Sequence, residues 1–154
     1  MLVAQGKLDN RQALIQIGVQ RFSPDFAGVA HTQPVPQMPI TSYRALLDTG
    51  AQRTCLTYRT IAAEGLIRHG KRFIKNVHNE NVHSLFMVRF GIWCSDNADM
   101  GAQDSGNSYF GLEEPVEVIN IADNDRFDAI VGMDVLSRFD VSFSRNGDFC
   151  INLK

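Results

Sequence analysis

Short runs of alternating hydrophobic and polar residues recur along the chain, and turn-forming residues separate them. A period of two places successive side chains on opposite faces of a β-strand. The pattern predicts strands at positions 13–20, 43–47, 71–77, 82–93, 116–121, 128–131, 140–144 and 148–153. The chain is therefore predicted to be all-β.

Two segments between the strands predict short helices. Residues 57–66 form the better candidate, with Thr57 placed to cap the helix and Gly65 placed to end it. Residues 134–139 predict a further helical turn. Helices this short are expected to connect strands rather than to form a layer of their own.

The connections between strands differ in length. Asn146-Gly147 is the strongest signal for a two-residue hairpin turn, and the polar residues 78–81 predict the apex of a longer hairpin. Residues 21–40 contain four prolines, which cannot donate to a strand ladder, and residues 94–111 are polar and poor in β-forming residues. Both segments are predicted to be long connections of low local stability.

Length and composition indicate one globular domain over residues 1–154. Hydrophobic residues make up 44% of the chain and charged residues 21%, which excludes a disordered protein. A formal net charge of −2 argues against general binding to nucleic acid or to an anionic membrane. No apolar stretch reaches the length of a membrane span, and the first residues lack a signal-peptide pattern. Neither membrane association nor secretion is therefore expected.

The cysteines and the sequence motifs indicate whether disulfides, metals or cofactors are expected. Cys55, Cys94 and Cys150 are an odd number of cysteines at wide spacing, which favours free thiols in a reducing, cytoplasmic compartment. Glycine-rich nucleotide motifs are absent, and no His/Cys pair has a convincing zinc spacing. No metal and no cofactor are expected.

Charge is divided unevenly along the chain. Residues 1–95 carry 11 basic and 5 acidic residues, whereas residues 96–154 carry 4 basic and 12 acidic residues. The two segments either interleave in one fold and pair their faces, or form separate surfaces that steer a charged partner. The sequence leaves both interpretations open.

Asp48 stands out by its position. It directly follows the apolar strand 43–47 and begins the turn Asp48-Thr49-Gly50-Ala51. A carboxylate at such a place costs free energy unless it is hydrogen-bonded or shares a proton. Backbone N–H groups of the turn can bond it, and glycine permits a close approach. An ordinary turn between strands explains the tetrapeptide equally well.

A second motif favours a functional role for Asp48 over an ordinary turn. Residues 130–136 read as an apolar strand, a glycine and a short helix. Together, Leu46 to Ala51 and Ile130 to Leu136 resemble the two signatures of the retropepsin-like aspartic proteases: hydrophobic-hydrophobic-Asp-Thr/Ser-Gly-Ala, then hydrophobic-hydrophobic-Gly-x-Asp/Asn-hydrophobic-Leu. Residues 48–66, with a threonine at Thr54, look most like the cellular DNA-damage-inducible-type domains and their bacterial relatives.

The resemblance implies an all-β acid-protease fold, a closed barrel-like half with one short helix and one half-site per chain. It implies an aspartic endopeptidase that acts as a homodimer on a peptide or protein substrate, with Asp48 of each subunit in a catalytic dyad. It also implies that the chain ends contribute to the subunit interface. The residues that would support the site and contact the second subunit are Thr49, Gly50 and Ala51. The residues that would bind substrate are Gly50, Gln52 and the flap residues Val77, His78, Asn79 and Glu80.

Three departures from the family pattern bear on substrate choice. The segments near 21–40 and 94–112 are insertions relative to the compact viral members, and the apex 78–81 lacks the glycines typical of the viral flap. These departures keep a second function open, because fold does not imply function. The alternative is a non-catalytic module of the same fold that dimerises or holds a peptide.

Overall fold

A computed structural model describes residues 1–22, 40–75, 80–96 and 108–154. Strands dominate these ranges, and the prediction of an all-β domain is confirmed. The strands are β1 (Leu2–Lys7), β2 (Leu14–Arg21), β3 (Ser42–Leu47), β4 (Cys55–Thr57), β5 (Gly70–Lys75), β6 (Glu80–Asp96), β7 (Ser108–Gly111), β8 (Val116–Ile121), β9 (Ala129–Val131), β10 (Asp140–Phe143) and β11 (Asp148–Asn152). The helices are α1 (Tyr58–Ala63) and α2 (Met133–Leu136).

Six of the strands close into a barrel. Going round it, β2 pairs with β3, β3 with β9, β9 with β4, β4 with β8, β8 with β6, and β6 returns to β2. The β3–β9 and β4–β8 pairs are parallel, and the other four are antiparallel. Alternate side chains of these strands fill the interior, where burial of apolar surface supplies most of the stabilisation. Fully buried members include Ile17, Leu56, Val88, Phe90, Ile92, Val118 and Val131.

β6 joins the barrel to the rest of the molecule. At 17 residues it is long enough to pair with β8 and β2 in the barrel, with β5 in a hairpin, and with β7 and β1 further along. β1 continues into an antiparallel sheet with β11 and β10. The two ends of the chain therefore lie side by side in one small sheet beside the barrel.

The helix predicted at residues 57–66 forms over a shorter range. Thr57 occupies the N-cap position, but its hydroxyl bonds the Thr60 hydroxyl at 2.8 Å and no backbone N–H. Gly65 ends the helix as predicted, with φ +60°, a value that glycine adopts at little cost. The single helix that the family resemblance implied is accompanied by α2, which begins one residue before the predicted helical turn and ends at Leu136.

Both predicted hairpins form, with different turns. In β10–β11, Ser144 N–H donates to Asp148 O at 2.8 Å and Gly147 takes φ +84°. The loop is therefore the longer type that ends in a left-handed glycine, not the two-residue turn that Asn146-Gly147 predicted. In β5–β6 the pairing ends at Lys75 opposite Glu80, so two residues assigned to the polar apex belong to a strand. The apex residues 76–79 lie outside the described residues.

Three strands were not predicted, and each lacks a clean alternation. β4 has three residues, all buried, and β1 has two consecutive buried residues. β7 and the end of β6 occupy parts of the segment 94–111, so the prediction of a continuous irregular connection there is wrong at both ends. The remainder of that segment, 97–107, and most of 21–40 lie outside the described residues.

The uneven charge along the chain is paired within the fold. Four ion pairs and one histidine–carboxylate contact between described residues each join the basic first segment to the acidic second one or the reverse. They are Lys7–Asp148, Arg53–Glu117, Arg59–Asp128, His69–Glu117 and Arg126–Asp9. The interleaved interpretation is thus the one that these contacts support.

Two glycines on neighbouring strands make room for an aromatic ring. Gly18 and Gly91 are directly paired across β2 and β6, and the ring of Tyr109 lies over both. A Cβ on Gly18 would lie 2.6 Å from Tyr109 Cε2. Burial raises the pKa of Tyr109 to about 12, so the ring carries no charge at neutral pH. Tyr109 also meets Trp93 edge to face at 5.1 Å between centroids.

We expect Gly91→Ala to lower the free energy of unfolding by about 1–3 kcal/mol, because its methyl group would overlap the Tyr109 ring. Gly70→Ala is a matched control, since its nearest neighbour, Leu85 Cδ1, would be 3.4 Å away. Urea denaturation of both variants checks this. Equal stability of the two variants would contradict the packing described.

Candidate active site

Asp48 lies where β3 ends and its chain enters a turn. Its N–H donates to Val131 O at 3.0 Å, which continues the parallel pairing of β3 with β9. The turn then closes on the carboxylate: Gly50 N–H donates to Asp48 Oδ1 at 2.9 Å, and Ala51 N–H donates to Asp48 O at 3.2 Å. The backbone therefore fixes one carboxylate oxygen in a defined orientation.

The other side of this turn faces outward. Asp48 is half-buried, whereas Thr49 and Gly50 are exposed. Among the described residues, Asp48 Oδ2 has no hydrogen-bond partner. The turn thus presents one unengaged carboxylate oxygen beside two accessible residues, an arrangement open to a second molecule.

Gly132 lets α2 lie directly against the segment that follows the turn. A Cβ at this position would lie 2.6 Å from Arg53 C and 2.9 Å from Ala51 O, both backbone atoms that cannot rotate away. The first N–H of α2, that of Met133, donates to Ala51 O at 2.8 Å. The strand–glycine–helix motif therefore acts as a support for the Asp48 turn.

Hydrogen bonds between Thr54 and Asp134, together called the interlock, complete the support of the turn. Asp134 Oδ2 accepts the Thr54 N–H at 3.0 Å, and Asp134 Oδ1 accepts the Thr54 hydroxyl at 2.8 Å and the Val135 N–H at 3.0 Å. Thr54 Oγ1 in turn accepts the Gly132 N–H at 3.2 Å. Hydrogen bonds to a carboxylate are stronger than neutral ones. This interlock joins two segments that are far apart in sequence into one rigid unit behind Asp48.

The neighbouring thiol is not a candidate nucleophile. Cys55 is buried, and burial, reinforced by the carboxylates of Asp134 and Asp48, raises the pKa of its thiol to about 12. A thiol attacks as the thiolate, which is almost absent here at neutral pH. The chemistry available at this place is therefore that of a carboxylate.

Known proteins resemble this chain in structure and not detectably in sequence. A scan against protein families finds no match, and a comparison with curated proteins finds no relative. Among solved structures, a retropepsin-like aspartic protease from Rickettsia conorii matches with a TM-score of 0.56 and 16% identity, over 97% of this chain and 91% of that one. The chain has the retropepsin-like fold. This confirms the predicted fold class, an all-β retropepsin-like fold with a closed barrel.

Two further solved structures match with lower scores. One is a foamy viral protease–reverse transcriptase in complex with an RNA/DNA hybrid, at a TM-score of 0.40 and 18% identity over 85% of this chain and 13% of that one. The other is the retroviral protease-like domain of Ddi1 from Leishmania major. It matches with a TM-score of 0.39 and 15% identity, over 87% of this chain and 83% of that one.

The retropepsin-like fold brings together part of the predicted site. Asp48, Thr49, Gly50 and Ala51 form one turn, and Gln52 follows it as an exposed residue whose carbonyl accepts the Asp134 N–H at 3.3 Å. Of the predicted flap residues, Glu80 begins β6 opposite Lys75. The others, Val77, His78 and Asn79, lie outside the described residues.

Sequence reasoning assigned no role to the residues that support the turn. Thr54 and Asp134 were matched to family motifs, but nothing in the sequence shows that their side chains meet. The available signal was Asp134, the one polar residue in the apolar stretch 129–136, because a carboxylate at such a place needs a partner. The contacts of Glu117 with Arg53 and His69, described below, had no sequence signal.

Within the described ranges, no group of three or more His, Cys, Asp or Glu side chains is arranged to hold a metal ion. In the same ranges, no helix has the length and apolarity that crossing a membrane would require.

Proposed function

We propose that the protein is an aspartic endopeptidase whose active site forms across a homodimer, with Asp48 of each subunit as the catalytic pair. The observation that carries this proposal is the turn itself. Asp48 holds one oxygen against Gly50 N–H, and the other oxygen, beside the exposed Thr49, has no hydrogen-bond partner among the described residues. The retropepsin-like fold supplies the rigid support that such a carboxylate needs.

The proposed mechanism follows from bringing two such carboxylates together. Two carboxylates about 3 Å apart cannot both ionise and therefore share one proton. The ionised partner takes a proton from a water molecule, which attacks the peptide carbonyl. The protonated partner donates to the carbonyl oxygen and, later, a proton passes to the leaving amine. No metal, cofactor or covalent intermediate is required.

Substrate is proposed to bind as an extended strand. Main-chain hydrogen bonds to Gly50 and Gln52 would hold it beside Asp48, and the β5–β6 hairpin, with Val77, His78, Asn79 and Glu80 at its tip, would cover it. Thr49 and Ala51 are proposed to support the paired turns and contact the second subunit. We also propose that the protein is cytoplasmic, because its cysteine pattern favours a reducing compartment.

The structure changes how the proposed dimer should be tested. β11 pairs with β10 on one edge and β1 on the other, and its Phe149 and Ile151 are buried. Deleting residues 150–154 would remove most of β11, the central strand of the small sheet formed by β1, β11 and β10. The deletion would damage the fold, so loss of the dimer would not show where the interface lies. A substitution at the exposed turn is more informative.

We expect the wild-type protein to have twice the mass of one 17.2 kDa chain in light scattering, and Thr49→Lys to shift it to the mass of a single chain. Thr49 is exposed, so the substitution leaves the fold intact but places two like charges on the proposed two-fold axis. Glu114→Lys, at another exposed turn, should remain dimeric.

A peptide-library digest tests the activity itself. Dimeric wild-type protein should cut peptides between acid and neutral pH, and monomeric Thr49→Lys should not. A wild-type monomer would contradict the shared active site. A wild-type dimer that cuts nothing would contradict the protease and favour the peptide-binding module of the same fold.

A further inference from the structure

The carboxylate of Glu117, the second residue of β8, contacts basic side chains from two different segments. Its Oε1 lies 2.8 Å from Arg53 Nη1, and its Oε2 lies 3.2 Å from His69 Nε2. The side chains of Arg53 and Glu117 are partly buried, with 28% and 31% of their surface exposed, whereas His69 is exposed, at 42%. One carboxylate therefore uses both of its oxygens, one for each segment.

The first of these segments belongs to the candidate active site. Arg53 follows the Asp48 turn, and its backbone carbonyl lies directly against Gly132. It is next to Thr54, which Asp134 holds. A displacement of the Arg53 side chain would therefore also move the segment that positions Asp48.

The second segment is the base of the β5–β6 hairpin. His69 immediately precedes β5, and its N–H donates to Leu85 O on β6 at 2.9 Å. The Glu117–His69 contact therefore fixes the point at which the hairpin begins.

A second contact from β8 holds the other strand of the hairpin. The β6–β8 ladder ends at Leu85 opposite Ile119. At the next position, Ser84 N–H donates to the Asn120 side chain Oδ1 at 2.7 Å instead of to a backbone carbonyl. The Asn120 Nδ2 group donates to Tyr58 Oη at 2.7 Å, which fixes the amide orientation. β6 thus leaves the barrel at Ser84, which this hydrogen bond holds in place. Ser84 is called the pivot of the hairpin below.

We propose that Glu117 is a positioning residue that couples the base of the β5–β6 hairpin to the segment following Asp48. Asn120 fixes the pivot on β6, and Glu117 joins the start of β5 to Arg53. The hairpin then cannot shift without changing the Glu117 orientation and, through it, the contact with Arg53. As a role in catalysis this rests on the proposed protease function, but the coupling itself is a property of the folded chain.

His69→Gln gives the sharpest test, because the polar contacts of His69 among the described residues are with Leu85 and Glu117 and not with the segment following Asp48. We expect amide hydrogen exchange at His69 and Ser84 to become about threefold faster, as loss of one exposed polar contact would allow. Coupling predicts faster exchange at Gly50 and Ala51 as well. Amides of the β2–β3 pair should keep their rates.

Glu117→Gln should accelerate exchange in both segments, and adding His69→Gln to it should have no further effect, because the shared contact is already lost. Asp148→Asn breaks the exposed Lys7–Asp148 pair on another strand and is the matched control. Unchanged exchange at Gly50 and Ala51 in His69→Gln, or fully additive effects of the two substitutions, would overturn the coupling.

Cleavage assays add a readout that a purely structural role would not change. Coupling predicts that Glu117→Gln raises KM and lowers kcat together, each by about threefold, since the hairpin and the Asp48 segment both shift. Unchanged values of both constants would contradict the role in catalysis. If the wild-type protein cuts no peptide, the proposed protease fails, and hydrogen exchange still decides the coupling.

Discussion

Asp48→Asn is expected to abolish peptide cleavage, with kcat/KM falling by at least about 10²–10⁴-fold, the contribution of general acid–base catalysis. In a homodimer one substitution removes both carboxylates, so neither a base for water nor a shared proton remains. Asparagine has nearly the same size, and its side-chain oxygen can still accept the Gly50 N–H. The measurement is cleavage of a selected peptide by the purified variant.

Fold and assembly must be shown to persist in the same variant. Circular dichroism and light scattering of Asp48→Asn should match the wild-type protein. Asp140→Asn, an exposed aspartate on β10, should cut at the wild-type rate and serves as the matched control. Cleavage by Asp48→Asn at the wild-type rate would show that another group performs the reaction.

Asp134→Ala should give the largest loss of stability, about 2–4 kcal/mol in the free energy of unfolding. It leaves the buried Thr54 N–H and hydroxyl without their acceptors, and an unsatisfied buried donor costs about 1–3 kcal/mol. Displacement of the supported segment should also reduce cleavage by about a hundredfold, the effect of misplacing a catalytic group by about 1 Å. Urea denaturation and kinetics at low temperature separate the two effects.

Asp134→Asn is the graded comparison. Its amide oxygen can still accept the Thr54 N–H, and its nitrogen can donate to Thr54 Oγ1, but the Thr54 hydroxyl and the Val135 N–H lose Oδ1 as an acceptor. We expect a loss of about 1 kcal/mol, smaller than that of the alanine variant. A loss as large as that of the alanine variant would indicate that charge, and not hydrogen bonding, holds the two segments together.

Local patterns predicted most of the barrel. The residues of β2 and β8 largely alternate between apolar and polar types in the sequence, and Asp48 was identified because an acidic residue directly follows the apolar β3. Gly65 and Gly147 were recognised as ends of elements, and both have positive φ. These features depend on a residue and its near neighbours, which a sequence displays directly.

Contacts between distant segments could not be predicted in the same way. β4 is too short to alternate, and it forms because β8 and β9 lie on either side of it. The pairing of Thr54 with Asp134, and of Glu117 with Arg53 and His69, depends on how the barrel closes. Side-chain identities alone do not specify such partners.

The separation of Thr54 and Asp134 by 80 positions has a consequence for biosynthesis. During translation, the Asp48 turn emerges long before Gly132 and α2, and β3 then still lacks its parallel partner β9. Parallel pairings between remote strands also form slowly, because the intervening chain must close a long loop first. A growing polypeptide on the ribosome would therefore carry an unsupported Asp48 turn, and the proposed active site would stay incomplete until Gly132 and α2 have been synthesised.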